Sequence, residues 1–507
     1  MSRQRRALVS AFFTYCQWAL SFGTGLVATR IVLDKLGIGT VGLWTAVSGM
    51  LGYAALSDLG VLTVLPWLVA NADGRKDEEE IRRLTNSGFA LGAVVGAIFA
   101  AVAGALWIAS PWLLKASPAE RELLFVPFVA LVALTAIGSP LRAAEGVLQG
   151  LQDVKVVGSL TALQPLVNFG LVMSLLYRGQ GLLGLALGAA LPRLLAGLAF
   201  LWRLWRTRPQ LFRGWGGVRR DQLNRLLGEG LGPWLGSLGW LMAFSTDAVI
   251  LASLGFRDEV AVFAVTSRFG LTLMQLSWTL PDAGLVGLSQ LWGEAPDRVG
   301  ETVSVMARVY MLLAGGVVCA VLALNAVFVR VWVGADKHLF GGQPLNAMLA
   351  AAVLSLSVVH SVAVPAAVLG NRRRLGVVTA LNGVVHIALA RLLGAWLGLV
   401  GIALATAISG LITTLPVGLT LLPASIGWTR KRFVASALGT WWWRFVPLAA
   451  LAGAVGWADG HLPQPAVIGL AALVGVAYLL AMRPLLQELP LDSKLRRALQ
   501  AVRLVAR

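Results

Sequence analysis

Three arginines lie well inside long apolar segments of this 507-residue chain: Arg30, Arg193 and Arg268. If each segment is a helix rising about 1.5 Å per residue, Arg268 lies ~13 Å deep and Arg193 ~18 Å deep. A cation at such a depth is costly unless it meets water, an anion or a counter-charge. A guanidinium group offers a planar fork of donors that matches phosphate oxygens. These arginines therefore indicate an anion-binding cavity; the alternatives are salt bridges between helices or side chains that reach the segment ends.

Two acids, Asp58 and Asp247, also lie inside apolar segments. Burial penalises the ionised carboxylate, so each could bind and release a proton and serve in ion coupling. Each could instead be the counter-ion of a buried arginine, with Arg268 or Arg30 as the partner of Asp247, or a cap at a helix break. We predict ion coupling for both acids.

Polar side chains recur four residues apart at two places in the chain. Gln164 and Asn168 share one face of a helix, and so do Asn382 and His386. Such pairs suit the hydroxyl groups of a sugar, and we predict Asn168 and His386 to bind substrate. The alternative is a shared structural role, because a single buried histidine is more often only hydrogen-bonded. Arg142 and Glu145, three residues apart, favour a local ion pair.

The elements that must position these residues are membrane-spanning helices. The chain is 57% hydrophobic and 13% charged, and its mean hydropathy is +0.77. Most of its apolar segments have about the 20 residues needed to cross a ~30 Å hydrocarbon core. About fourteen such segments can be laid out: 8–33, 41–69, 85–109, 123–145, 157–177, 182–202, 229–253, 259–289, 302–329, 347–369, 375–395, 397–422, 441–458 and 465–482. The two cysteines lie inside these segments and imply neither a disulfide nor a metal site.

Basic residues alternate between the loops and predict the topology. Of the 42 Lys and Arg residues, 30 lie in the termini and alternate loops, and only 7 lie in the opposite loops. The positive-inside rule then places both termini in the cytoplasm and requires an even number of spans. The net charge of +18 therefore indicates cytoplasmic span ends near anionic lipid, and not nucleic-acid binding.

The sequence repeats itself at a spacing of 218 residues. Leu36-Gly37 falls on Leu254-Gly255, and the stretch 156–171 falls on 374–389 with six identities. The repeated unit holds six spans, so both copies have the same orientation in the membrane. We predict an all-α integral membrane protein of about 14 transmembrane helices: a lobe at 1–202, an arginine-rich cytoplasmic linker at 203–228, a pseudo-symmetric lobe at 229–422, and two extra helices with a cytoplasmic tail at 423–507.

The runs LGIGTVGLW (36–44) and GMLGYAALSDLG (49–60), the loop ANADGRKDEEEIRR (70–83) and STDAVILASLGF (245–256) carry a family resemblance. They resemble the Wzx-type polysaccharide-biosynthesis flippases of the multidrug/oligosaccharidyl-lipid/polysaccharide exporter superfamily. The resemblance implies a MATE-like fold and a carrier of undecaprenyl-pyrophosphate-linked oligosaccharide across the bacterial inner membrane. It implies no enzyme activity and no cofactor beyond a proton or sodium gradient. The implied partners are lipid-linked oligosaccharide, the bilayer, and a polysaccharide polymerase and glycosyltransferases.

Three other functions were weighed against this interpretation. An ion-coupled multidrug exporter of the same superfamily shares the twelve-span core, but Arg30 in the first span disfavours cationic drugs. A membrane glycosyltransferase or polymerase needs paired carboxylates at a membrane surface, which the longest outer loop, 330–346, does not supply. A major-facilitator transporter would carry a characteristic basic motif after the second span, and residues 70–83 lack it. No nucleotide-binding glycine loop is present.

Overall fold

A computed structural model describes residues 3–54, 61–212, 220–282, 284–285, 288, 291–292, 295–334 and 338–488. The chain divides into two compact units, Met1–Leu241 (unit 1) and Met242–Arg507 (unit 2). The bounds predicted for the two lobes, the linker and the C-terminal extension stay predictions. Asp58, one of the two predicted coupling acids, lies outside the described residues.

Unit 1 is built from helices. These are α1 (Arg3–Leu36), α2 (Ile38–Ala54), α3 (Val61–Gly74), α4 (Glu78–Leu114), α5 (Pro118–Gly138), α6 (Leu141–Gly150), α7 (Val154–Tyr177), α8 (Gly181–Thr207) and most of α9 (Arg220–Phe244), with a 3-10 turn at Pro209–Phe212. The unit-1 core lies between α3, α4, α6 and α8, where Leu65, Ile81, Leu148 and Phe200 are buried. Because these helices pack through one face each, their other faces remain apolar and exposed.

Unit 2 is helical as well. It contains α10 (Thr246–Leu254), α11 (Arg257–Asp282), α12 (Pro296–Val333), α13 (Gly342–Ala366), a π-helical turn at Ala367–Asn371, α14 (Arg372–Leu397), α15 (Leu399–Ile412), α16 (Thr414–Ser425), α17 (Arg430–Leu438), α18 (Trp441–Trp457) and α19 (Gln464–Gln487). Its largest core runs along α12 and holds Tyr310, Val321 and Val327.

The described residues contain ten helical segments that are long and apolar enough to cross a membrane. This number is compatible with the fourteen predicted spans, because several predicted spans are divided into shorter helices. The fourth predicted span breaks between α5 and α6 at Pro140, which lacks the N–H needed to continue the helical ladder. The seventh breaks at Ser245, between α9 and α10.

Glycines let the helices of unit 1 approach one another closely. A Cβ atom on Gly92 would lie 2.7 Å from the Cα of Pro140, and one on Gly96 would lie 2.5 Å from the carbonyl oxygen of Ala136. The spacing of four residues from Gly88 to Gly96 thus brings α4 against the end of α5, as small residues at helical spacing predict.

The repeated Leu-Gly pair ends a helix in each unit. α1 ends at Leu36 and α10 at Leu254, and the glycine that follows has a positive φ, 78° at Gly37 and 96° at Gly255. The left-handed conformation terminates a helix and favours glycine, because it carries no Cβ. The repeat therefore corresponds to the same local structure in both units.

The two C-terminal helices pack on α12. The Tyr478 hydroxyl of α19 donates to the carbonyl oxygen of Leu312 at 2.6 Å, above Gly315, where a Cβ would collide with that hydroxyl. Near the other end of α12, Arg330 forms an ion pair with the buried Asp459. The long helix α12 is thereby held at both ends by α18, α19 and their connection.

Candidate functional site

A polar cavity of about 290 Å³ lies inside unit 1 between α1, α7 and α8. We call it the α7–α8 cavity. Its polar walls come from three helices, with Gln17, Ser21 and Thr24 on α1, Gln164 and Asn168 on α7, and Arg193 on α8.

A second cavity, of about 440 Å³, adjoins the first and shares Gln17, Gln164 and Arg193 with it. We call it the α5–α6 cavity, because Thr135, Arg142 and Glu145 of α5 and α6 line its far side. The two cavities together form one polar space between the helices of unit 1. Two of the residues predicted to bind substrate, Asn168 and Arg193, therefore meet in it.

Glycine and proline shape this space. On α8, a Cβ at Gly188 would lie 2.2 Å from a methyl group of Val172 and 3.5 Å from the side-chain oxygen of Asn168, so only glycine lets α7 and α8 meet here. Pro192 and Pro165 lie inside α8 and α7 and line the α7–α8 cavity. Each proline removes the N–H that would bond the carbonyl four residues earlier, so each brings backbone polarity to the wall.

The charges that line the cavities are mostly positive. Arg193 is exposed and forms no ion pair with a described residue. Glu145 is the one acid among the lining residues; it lies within Coulombic range of both Arg142 and Arg193 and accepts a hydrogen bond from Gln149 at 3.1 Å. The predicted local pair of Arg142 and Glu145 is thus part of a larger group that includes Arg193. Two guanidinium groups facing one carboxylate leave a net positive wall.

In unit 2 the predicted residues Asp247 and His386 contact each other. The Nε2 atom of His386 lies 2.8 Å from a carboxylate oxygen of Asp247, and the two side chains are 0% and 9% exposed. Asp247 lies in the first turn of α10, directly after the break at Ser245. The Nδ1 atom of His386 has no hydrogen-bond partner among the described residues. Acid and histidine thus form a sealed pair.

The ion pair expected between Asp247 and Arg268 is not present. Arg268 is exposed on α11 and pairs with no described residue, whereas His386 takes the position beside the carboxylate. The physical reason is that a side chain on the outer face of α11 does not reach a buried group in α10, while α10 packs directly against α14. Arg30 is exposed on α1 and does not line either unit-1 cavity. Roles for Arg30 and Arg268 in substrate binding stay predictions.

The sequence reasoning missed the polar face of α1. Gln17, Ser21 and Thr24 line the α7–α8 cavity, and their spacing of four and three residues places them on one face of a helix. That spacing, in a segment that is otherwise apolar, is a signal that could have found them.

Comparison with known proteins identifies the fold. No protein-family model matches the sequence, and no curated protein matches it at a significant level. Among solved structures, the chain is similar to an inward-facing multidrug resistance MATE family transporter of the MOP superfamily, with 18% identity and a TM-score of 0.62 over 79% of this chain and 94% of that one.

Two further structures agree. An outward-facing multidrug resistance MATE family transporter of the MOP superfamily gives 18% identity and a TM-score of 0.55 over 85% of this chain and 96% of that one. The eukaryotic MATE transporter AtDTX14 gives 15% identity and a TM-score of 0.54 over 85% and 99%. The predicted fold class is confirmed: the chain has the all-helical fold of the MATE family transporters.

Proposed function

We propose that this protein is a carrier that moves undecaprenyl-pyrophosphate-linked oligosaccharide across the bacterial inner membrane for the synthesis of a polysaccharide such as O-antigen, capsule or exopolysaccharide. The MATE-like fold supports transport, since the similar structures are transporters. The observation that carries the substrate class is the polar space in unit 1, where Arg142 and Arg193 face a single acid, Glu145.

The chemistry of this space fits a diphosphate joined to a sugar. Guanidinium groups bind phosphate oxygens through two parallel N–H donors. The amides of Gln164 and Asn168 and the hydroxyls of Ser21 and Thr24 offer both donors and acceptors, which sugar hydroxyls require. Glycosyltransferases would supply such a substrate on the cytoplasmic side, where we place both termini, and a polymerase would consume it on the other side.

The driving force in this proposal is an ion gradient, of protons or sodium, and no bound cofactor. The assignment of ion coupling to Asp247 and Asp58 stays a prediction from the sequence. Since Asp247 is sealed against His386, its role in coupling needs a change of structure that opens the pair to water.

A multidrug exporter is the second candidate, because two of the similar structures are described as multidrug resistance transporters. A cationic drug would need an acid to bind it, and Glu145 is the acid that the unit-1 cavities offer. In that case Glu145 would bind the ligand, and Arg193 would oppose it.

Binding by the purified full-length protein in detergent separates the two candidates. We expect a fluorescent lipid-linked diphosphate oligosaccharide to bind, inorganic pyrophosphate to compete, and Arg193→Ala to weaken the binding. Binding of a cationic dye such as ethidium that is lost in Glu145→Gln, with no binding of the diphosphate, would instead establish the exporter.

A further inference from the structure

Three helices of unit 2 meet around the carboxylate of Asp282, the last residue of α11. The Nε2 atom of His360, on α13, lies 3.0 Å and 3.3 Å from the two carboxylate oxygens. The hydroxyl of Tyr310, on α12, donates a hydrogen bond to the same carboxylate. We call these three residues the Asp282 cluster. Its geometry depends on α11, α12 and α13 together.

An aromatic platform holds the histidine. The His360 ring stacks on Trp278 with the ring centres 3.9 Å apart and an angle of 8° between the planes. The Trp278 indole N–H donates to the Ser357 hydroxyl at 3.1 Å, which fixes the platform. The Tyr310 ring meets the imidazole edge-on. A cation above the face of an indole is stabilised by the electrons of the ring, so this stack favours a protonated imidazole.

We propose that the Asp282 cluster is a proton-binding site of this protein. With the carboxylate ionised and the imidazole neutral, the pair carries one negative charge. A proton from water then binds the second ring nitrogen of His360, while Nε2 keeps its own hydrogen directed at Asp282. The product is an imidazolium–carboxylate pair with no net charge, which a medium of low polarity favours over a net charge.

Exposure distinguishes this site from the other acid–histidine pair of unit 2. The side chains of Asp282 and His360 are 35% and 12% exposed, whereas those of Asp247 and His386 are 9% and 0% exposed. Proton exchange requires contact with water. The Asp282 cluster has that contact in the structure as it stands, and the sealed pair does not.

Few other charges face the cluster. α13 carries no ionisable side chain besides His360, and α15 and α16, which pack on α13, carry none. On α11 the nearest other charge, Arg268, lies about 21 Å along the helix from Asp282. On α12 the guanidinium of Arg308 is directed at the Ser436 carbonyl and at Glu488, 2.7 Å and 2.8 Å away.

The remaining ionisable groups nearby have positions of their own. Asp297, Arg298 and Glu301 are exposed in the first turns of α12. On the helices that cover α12, Arg444 donates to the Ala481 carbonyl, and Tyr478 donates to the Leu312 carbonyl. The proton affinity of the cluster is therefore set mainly by Asp282, His360 and Tyr310 themselves.

Proton binding at this site would drive the carrier proposed above, and that coupling role rests on the proposed function, whereas the proton binding does not. The carboxylate ties the end of α11 to α12 and α13. A change in its charge balance alters the attraction that holds the three helices together, which is how a proton can bias one arrangement over another.

Histidine NMR on the full-length protein in detergent tests the site directly. The chain has four histidines, so His360→Gln and His386→Gln assign the signals after ¹⁵N-histidine labelling. Between about pH 5 and 9 we expect the His360 signal to titrate, and its midpoint to move by about one unit or more in Asp282→Asn because the counter-charge is lost. The matched control Asp247→Asn should leave that midpoint unchanged.

Tyr310→Phe, which keeps the ring and removes only the hydroxyl, serves if Asp282→Asn does not fold; it should move the same midpoint by a smaller amount. A His360 signal that stays constant over this pH range overturns the site, and so does an equal shift in Asp282→Asn and Asp247→Asn.

Transport in proteoliposomes tests the coupling role. We expect Asp282→Asn to exchange lipid-linked oligosaccharide at equal pH on both sides but to lose its acceleration by a pH gradient. Retained acceleration would remove the cluster from coupling. If the wild-type protein moves no such lipid while His360 still titrates, the proposed function fails and the proton site stands.

Discussion

The repeat places two polar pairs at corresponding positions, and the two units surround them in opposite ways. In unit 1, Gln164 and Asn168 line an open cavity. In unit 2, Asn382 accepts a hydrogen bond from the Thr413 hydroxyl at 2.8 Å, and His386 is buried against Asp247. The same two positions thus serve an open polar wall in one unit and a closed polar contact in the other.

The partners explain the difference. At a shift of 218 residues Asp247 corresponds to Thr29, whose hydroxyl bonds the Gly25 carbonyl of its own helix and offers no charge across the helix interface. At a shift of 217, Arg193 corresponds to Gly410, which has no side chain to keep polar groups apart. A repeated polar pair therefore becomes a candidate site only where the neighbouring helices leave its hydrogen bonds unused.

The largest effect should come from opening the sealed pair. His386→Ala should lower the free energy of unfolding by about 3–5 kcal/mol, because it leaves the carboxylate of Asp247 buried without its partner. Asn168→Ala, at the corresponding position of unit 1, should cost less than about 1 kcal/mol, because its side chain faces a cavity. Thermal denaturation in detergent measures both, and equal losses would break the contrast between the units.

Next in size is the effect of Arg193 on ligand binding. Arg193→Ala should weaken the affinity for a lipid-linked diphosphate by about 10- to 100-fold, since a charge-assisted hydrogen bond contributes about 1.5–3 kcal/mol. Arg193→Lys should restore only part of this, because an ammonium group lacks the planar fork. Arg391→Ala is the matched control: Arg391 is an exposed arginine of α14 that donates to Ser253. The same loss in this control would remove Arg193 from the site.

Asp247→Asn should have a smaller effect and sharpens the contrast within unit 2. Asparagine keeps the size of the side chain and an acceptor for His386, so we expect a loss of stability of about 1–2 kcal/mol, with gradient-driven transport preserved. The measurement is uptake by proteoliposomes with and without a pH gradient. Loss of gradient dependence, with substrate binding intact, would show instead that Asp247 carries the coupling ion.

The smallest expected effect concerns the polar wall itself. Asn168→Ala should reduce affinity for the lipid-linked oligosaccharide by a few-fold to about tenfold, which corresponds to the loss of one neutral hydrogen bond. A competition assay with the unlinked lipid diphosphate provides the control, because its affinity should stay unchanged. An equal loss for both ligands would mean that Asn168 binds the phosphates and not the sugar.

The fold could be predicted from the sequence because a membrane imposes strong constraints on it. Apolar segments of the right length, the alternation of basic loops and the repeat at 218 residues each depend on local sequence. The breaks within spans were harder to predict: Ser139-Pro140 is a recognisable signal, whereas Ser245 is followed by no proline or glycine that would mark the end of a helix.

The candidate site could be predicted only in part. Arg193 and Asn168 were found because a charged or amide side chain stands out in an apolar segment. The partner of Asp247 was not found, because a contact between α10 and α14 depends on how two distant helices pack. The Asp282 cluster was missed for the same reason, since Asp282, Tyr310 and His360 come from three separate helices.

The clamp of α18 and α19 on α12 also has a consequence for biosynthesis. The ribosome makes residues 441–487 after the rest of unit 2, so α12 enters the membrane before Tyr478 can reach the Leu312 carbonyl and before Asp459 can pair with Arg330. Until then the face of α12 around Gly315 is uncovered, and Arg330 has no acidic partner. A chain that stalls before α18 therefore presents an unfinished helix to the membrane-insertion and quality-control machinery, while unit 1 is already complete.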